Sequence, residues 1–237
     1  MVGMKIIVAF VIVLCSQGLY AQEAEYERED AVDSLYREDQ FFLGFSYNLM
    51  LNVPQDVSLA AFSGGMELGF IRDMPINSER NIAIGLGAGW AFDNFGNSLF
   101  IGEDPNTGET LFRSLDNRLE SYDKNRFSMQ QITLPLELRW RTSTPTENSF
   151  WRVYLGFKVG YVYYYRSNFE QPNNRIRQTN IPELNRWRFG TTLSFGYSTF
   201  NFHIHYGLNP LFNSDALLEG QPIEMNVLKF GLMFYLL

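Results

Sequence analysis

The residues with the greatest chemical capacity are two histidines, His203 and His205, which stand two apart in the segment Phe202-His203-Ile204-His205-Tyr206. On an extended strand that spacing puts both imidazoles on one face, where they could supply two ligands of a metal. The chain has only these two histidines, and its one cysteine, Cys15, is far away. With no third ligand nearby, hydrogen-bonded structural imidazoles are the expected reading, and no metal or cofactor site is expected. A second kind of chemistry would be a pair of carboxylates, Glu67 and Glu137, working as general acid and base. A third would be a serine activated by His203, but no serine occurs at a matching spacing along that segment. The glycines Gly64-Gly65 and Gly85, Gly87 and Gly89 are not followed by a helix-forming stretch, so they do not read as a phosphate loop. No catalytic residue is assigned.

All of these residues sit in one pattern, and its period is two. From Ile82 to Asp93 the even positions are Ile82, Ile84, Leu86, Ala88, Trp90 and Phe92, and the odd ones are small or acidic. The alternation recurs around Phe41–Leu51, Phe62–Phe70, Ile132–Trp140, Trp151–Tyr165, Trp187–Tyr197, Phe202–Leu208 and Leu228–Leu236, which predicts eight strands. In the fifth, Trp151, Val153, Leu155, Phe157, Val159, Tyr161, Tyr163 and Tyr165 are expected on the apolar face. Pro135 lacks a ladder donor in mid-strand, so a bulge or bend is expected there.

The connections decide the solvent. They alternate long (53–59, 94–126, 167–186, 210–224) and short (74–81, 142–149, 199–200), as in barrels whose external loops are free to grow. Strands of this length can cross the hydrocarbon when tilted, and all four tryptophans share the apolar parity near strand ends, which predicts two aromatic girdles. The expected fold is therefore all-β: an eight-stranded antiparallel transmembrane up-and-down barrel over residues 40–237. A barrel of that size has a lumen just wide enough for side chains. Inward Glu67, Glu137, Arg139, Arg152, Lys158, Arg188 and Lys229 are expected to fill it, with Glu67 or Glu137 paired to the cations rather than lining a pore.

Composition agrees. Of 237 residues 16% are aromatic and 19 are glycine, and the mean hydropathy is −0.16. The longest apolar run, Ile6 to Cys15, is too short for a membrane helix. It fits the core of a signal peptide over residues 1–21, with Lys5 ahead of it and Leu19-Tyr20-Ala21 at the cleavage site. Leu14 before Cys15 argues against lipidation, since that position calls for a small side chain. The formal charge of −7 is concentrated in residues 22–39, which carry eight acidic side chains against Arg28 and Arg37. This acidic periplasmic segment reads as a solvated lead-in or as a docking element. Nucleic acid is excluded as a partner.

The segments Ile132-Thr133-Leu134-Pro135-Leu136-Glu137-Leu138-Arg139-Trp140 and Tyr154-Leu155-Gly156-Phe157-Lys158-Val159-Gly160-Tyr161, with the eight-strand plan, resemble the PorT-like outer-membrane barrels of the Bacteroidetes. The strand Lys229 to Leu236 is similar to the signal read by the outer-membrane assembly machinery. The resemblance implies an outer-membrane barrel with a periplasmic N-terminus, in a family with one member linked to type IX protein secretion and gliding. It also implies machinery or a resident barrel rather than secreted cargo, since no sorting domain follows the barrel.

Three functions are carried forward. The first is a non-enzymatic accessory component of an envelope complex, contacting outer-membrane lipid and reaching partners through residues 22–39 or the 33-residue loop 94–126. That loop holds Leu99, Phe100, Ile101, Leu111 and Phe112, and is expected to fold over the barrel mouth or meet a partner. The second is a stand-alone structural or adhesive surface barrel. The third is a lipid A-modifying enzyme, which the inward parity of His203 disfavours.

Overall fold

The computed structural model describes residues 39–59, 61–115, 122–142 and 150–236. The expected signal peptide and nearly all of the acidic segment lie outside the described residues. Eight long strands alternate in direction: β1 (Gln40–Leu51), β2 (Ala61–Pro75), β3 (Ile82–Gly96), β6 (Lys124–Arg141), β7 (Trp151–Gln171), β9 (Trp187–Tyr197), β10 (Phe200–Gly207) and β13 (Asn226–Leu236). Each pairs with its neighbours in sequence, β1 pairs with β13, and β6 pairs with β7, so the sheet closes as an antiparallel barrel. Closure leaves every spanning strand paired on both sides, as a hydrocarbon solvent requires. Short turns sit at one end, which also carries Gln40 and Leu236. At the other end the connections fold into three small elements: the hairpin of β4 (Leu99–Glu103) and β5 (Thr110–Ser114), the strand β8 (Asn174–Gln178) paired to the extension of β7, and the pair β11 (Leu217–Leu218) and β12 (Gln221–Pro222).

The period-two reading fixes which face is which. On β9 burial alternates without exception from exposed Trp187 to exposed Tyr197. On β6 the odd residues from Asn125 to Arg141 are buried. The outward residues are the large apolar ones, among them Phe41, Leu86, Ile132, Leu155 and Phe202, and most inward ones are small or polar, apart from a buried cluster of Phe42, Ile71, Tyr154, Met233 and Tyr235.

Two expectations are corrected. Pro135 carries no bulge: it faces Lys158 in the β6–β7 ladder, and the β3–β6 register is the same on either side of it, from Leu86↔Leu136 to Gly89↔Thr133. The missing N–H interrupts that ladder without shifting it. The irregularity in the β6–β7 ladder lies elsewhere. Gln130 faces Tyr164 while Gln131 faces Val162, leaving Tyr163 as the extra residue. Tyr163 and Tyr164 then both face outward, the parity of β7 reverses, and Tyr165 is buried at 4% exposure instead of lying on the apolar outer face.

Candidate functional site

The lumen holds the titratable residues in two layers. Near the short-turn end, β2 brings Asp73 between two arginines of β6: Arg139 Nη1 lies 2.9 Å from Oδ1, and Arg141 Nη1 lies 2.9 Å from Oδ2. Arg139 also donates to Gln40 of β1 and lies 3.4 Å from Glu137. Its guanidinium stacks 4.2 Å from the Tyr154 ring centroid and 5.7 Å from that of Tyr235. Glycine at position 85 makes this possible, because a Cβ there would sit 2.7 Å from Arg139 Cδ. Asp73, Arg139 and Arg141 are all fully buried, so the pairing offsets a large desolvation cost.

The second layer lies nearer the loop end. Lys158 Nζ contacts both carboxylate oxygens of Glu67, at 2.9 and 2.7 Å. Lys229 Nζ does the same with Asp93, at 2.7 and 2.6 Å. Asp93 also accepts from Asn48 Nδ2 and Gln131 Nε2, both at 3.0 Å, so each oxygen has two donors. At the short-turn end Arg152 donates to the Ser198 carbonyl, and toward the loops Arg188 donates to the carbonyls of Asn209 and Pro210.

All seven charged residues expected in the lumen are there, and Glu67 is paired to one of the cations, Lys158, in line with the expectation that Glu67 or Glu137 would be. The structure adds two aspartates to this network, Asp73 and Asp93, which are the centres of its two ion-pair clusters. Continuing the alternation of β2 past Phe70 places Asp73 inward, and Asp93 already lay on the small face of β3.

Across the β9–β10 hairpin, Ser194 faces His203 in register. Its Oγ lies 2.7 Å from His203 Nδ1, and His203 Nε2 lies 3.6 Å from Glu67 Oε1. The serine absent from the histidine segment is thus supplied by the adjoining strand, and serine, histidine and carboxylate line up in a sequence that could activate a hydroxyl. Its surroundings work against that. Ser194 is 1% and His203 6% exposed. The space beside this layer is about 20 Å³ on the side of His205, Lys229 and Glu67 and about 10 Å³ on the side of Gly44 and Met233. That is room for a water, not for a substrate. Among the described residues no group of three or more His, Cys, Asp or Glu is placed to hold a metal ion.

Above the charged layers the loop end is apolar. Phe95, Phe127, Met129, Val162 and Tyr165 of the barrel pack with Leu99, Ile101, Phe112, Ile181, Leu184, Leu211, Phe212, Ile223 and Met225 from the loops in one buried cluster. Phe212 sits edge-on to Phe112, 5.3 Å between centroids, and 6.1 Å from Phe127. The described part of the 94–126 loop therefore folds over the mouth. Of Leu99, Phe100, Ile101, Leu111 and Phe112, all are buried except Leu111, which is 38% exposed.

A closed eight-stranded barrel with an apolar outer wall and a charged interior is the architecture of a protein whose solvent is lipid. The sequence matches the outer membrane protein β-barrel domain family over residues 20–213. The chain belongs to this family. No curated protein matches it. Among solved structures, the crystal structure of Ail, the attachment invasion locus protein of Yersinia pestis, in complex with the heparin analogue sucrose octasulfate, aligns with 85% of this chain and 100% of its own, at 11% identity and a TM-score of 0.38.

The exposed wall of this outer-membrane barrel is its lipid contact. Trp140 and Trp151 are exposed toward the short-turn end and Trp187 toward the loop end, where Trp90 is half-buried. Trp90 Nε1 donates to Tyr163 Oη at 2.8 Å, and Tyr163 Oη donates to Gln130 Oε1 at 2.7 Å. This chain keeps polar atoms paired where an aromatic girdle meets the headgroups.

Proposed function

We propose that this outer-membrane barrel is a non-enzymatic, non-conducting interaction component of an envelope complex. In this reading residues 1–21 are removed on export, residues 22–39 face the periplasm, and the long loops lie at the cell surface. One observation carries it. The lumen is filled with paired charges beneath an apolar cap, and among the described residues the space beside Ser194 and His203 has room for no more than a water. What such a barrel offers is its outer wall and its ends.

Burial of Leu99, Phe100, Ile101 and Phe112 in the cap removes the main reason to expect an apolar partner at loop 94–126. The strongest remaining handle is the acidic stretch 22–39, whose local charge suits a basic periplasmic surface. It joins the barrel where Asp39 Oδ1 accepts from the Asp73 amide at 2.8 Å.

Detergent pull-down of the tagged barrel, with and without residues 22–38 behind an intact signal, tests this. A stoichiometric partner recovered by the full chain and lost on deletion supports the reading; repeated recovery of the barrel alone contradicts it. The type IX role implied by the PorT-like resemblance is tested by comparing the secreted proteome of a deletion strain with its parent. Normal secretion with lost adhesion would replace it by the adhesive reading.

A further inference from the structure

Beyond the Trp90–Tyr163–Gln130 chain, the outer wall has a charge distribution unlike the rest of the molecule. Here β6 and β7 run past the barrel and β8 joins them. Asn125, Phe127, Ser167 and Phe169 are buried on the inner face, and their neighbours point outward. Antiparallel partners share a face, so the register places the outward residues in rungs. Ser128 pairs with Arg166; Arg126 with Asn168 and Asn168 with Arg177; Lys124 with Glu170 and Glu170 with Arg175. Five cations and one acid thus share a single sheet face in a chain whose net charge is −7. Glu170 is bonded to Arg175 at 3.2 Å. Arg126, Arg166 and Arg177 form no ion pair among the described residues, and the buried Nε of Arg166 has no hydrogen-bond partner there. The other face of this sheet is occupied, with Phe169 set edge-on to Phe100 at 5.1 Å and 5.9 Å from Tyr122.

Position gives the cluster its meaning. At about 3.3 Å per residue, the Arg166 and Arg126 rungs begin about 7 and 13 Å along the strand from Gln130, less in height because strands tilt. They lie beyond the Trp90–Tyr163–Gln130 chain, the level at which an aromatic girdle gives way to headgroups in such barrels. Directly below on the same strands, Ile132, Leu134, Tyr161 and Tyr163 are exposed and apolar or aromatic, a wall for acyl chains. Arginine is the side chain best matched to phosphate, through two parallel N–H donors.

We propose that the outward face formed by Arg126, Arg166 and Arg177, flanked by Lys124 and Arg175, binds the phosphate groups of a phosphorylated glycolipid of the outer leaflet. The physiological source rests on the reading above that the loop end faces outward; the binding chemistry does not. The guanidinium groups take the place of the divalent cations that otherwise bridge such phosphates, and fix one lipid against the β6–β8 wall.

The test uses the whole barrel in phosphatidylcholine nanodiscs containing diphosphoryl lipid A, with bound glycolipid counted by native mass spectrometry. The parent protein is expected to retain diphosphoryl lipid A. Retention should fall about tenfold for dephosphorylated lipid A and at least as far for Arg126→Gln/Arg166→Gln/Arg177→Gln, whose folding is checked by heat-modifiable gel mobility. Arg72→Gln, exposed toward the short-turn end, should retain lipid as the parent does. Equal retention of phosphorylated and dephosphorylated lipid overturns the proposal, even if the triple variant fails to fold. So does an unchanged triple variant, and so does full displacement by millimolar inorganic phosphate, which would mark a free-phosphate site. Labelling of Thr107→Cys on intact cells reports orientation separately, so a failure of the outward reading is distinguishable from a failure to bind glycolipid.

Discussion

The two halves of the lumen are filled by opposite means. Toward the short turns, charged and polar side chains pair across the barrel around Asp73, Glu67 and Asp93. Toward the loops, apolar side chains from four connections pack into the mouth. The difference follows from what each end can reach. Inside the spanning region every side chain comes from a strand whose outer neighbours must be apolar, so polarity collects inward and must find its partner there. At the loop end the connections are long enough to bring their own apolar residues back over the opening, and a dry core can form. The charged half depends on pairs and the capped half on volume, so they should fail in different ways.

The largest effect should come from Asp73→Asn. It leaves Arg139 and Arg141 buried without their shared carboxylate, and a loss of about 3–5 kcal/mol in urea unfolding from detergent is expected. Next is Phe212→Ala in the cap, with a loss of about 3 kcal/mol that stays local. Limited proteolysis should open the loops around 97–115 while the barrel keeps its folded gel mobility. If Phe212→Ala unfolded the barrel as completely as Asp73→Asn, the two halves would not be separable.

A smaller effect distinguishes pairing from charge as such. Glu67→Gln alone should cost about 2–3 kcal/mol, because Lys158 is left unneutralised, whereas Glu67→Gln with Lys158→Gln should return to within about 1 kcal/mol of the parent. A double variant as unstable as the single would mean that the pair is not an isolated unit. Smallest is Trp90→Phe, which loses the bond to Tyr163 at an exposed interface and should cost below about 1 kcal/mol.

Most of the spanning architecture was legible because period-two alternation is a local property of each strand. The eight strands, the apolar wall and seven inward charges follow from parity alone. Tyr165 did not, because a bulge one residue long reverses parity, and no residue between Gln130 and Tyr164 announces it. Pro135 looked like the disruptive residue, yet its missing donor falls on the β3 side, where the ladder skips two pairs and keeps its register. The Ser194–His203 contact was hidden for another reason, since it depends on hairpin register across strands rather than spacing along one. The same holds for Arg126, Arg166 and Arg177, which are scattered in sequence and gathered by pairing.

The central claim, a lumen closed by paired charges and by an apolar cap, is tested most directly by single-channel recording of the purified barrel in planar bilayers. The account predicts no steady openings at either polarity. Stable nanosiemens-scale openings from the folded protein would contradict it.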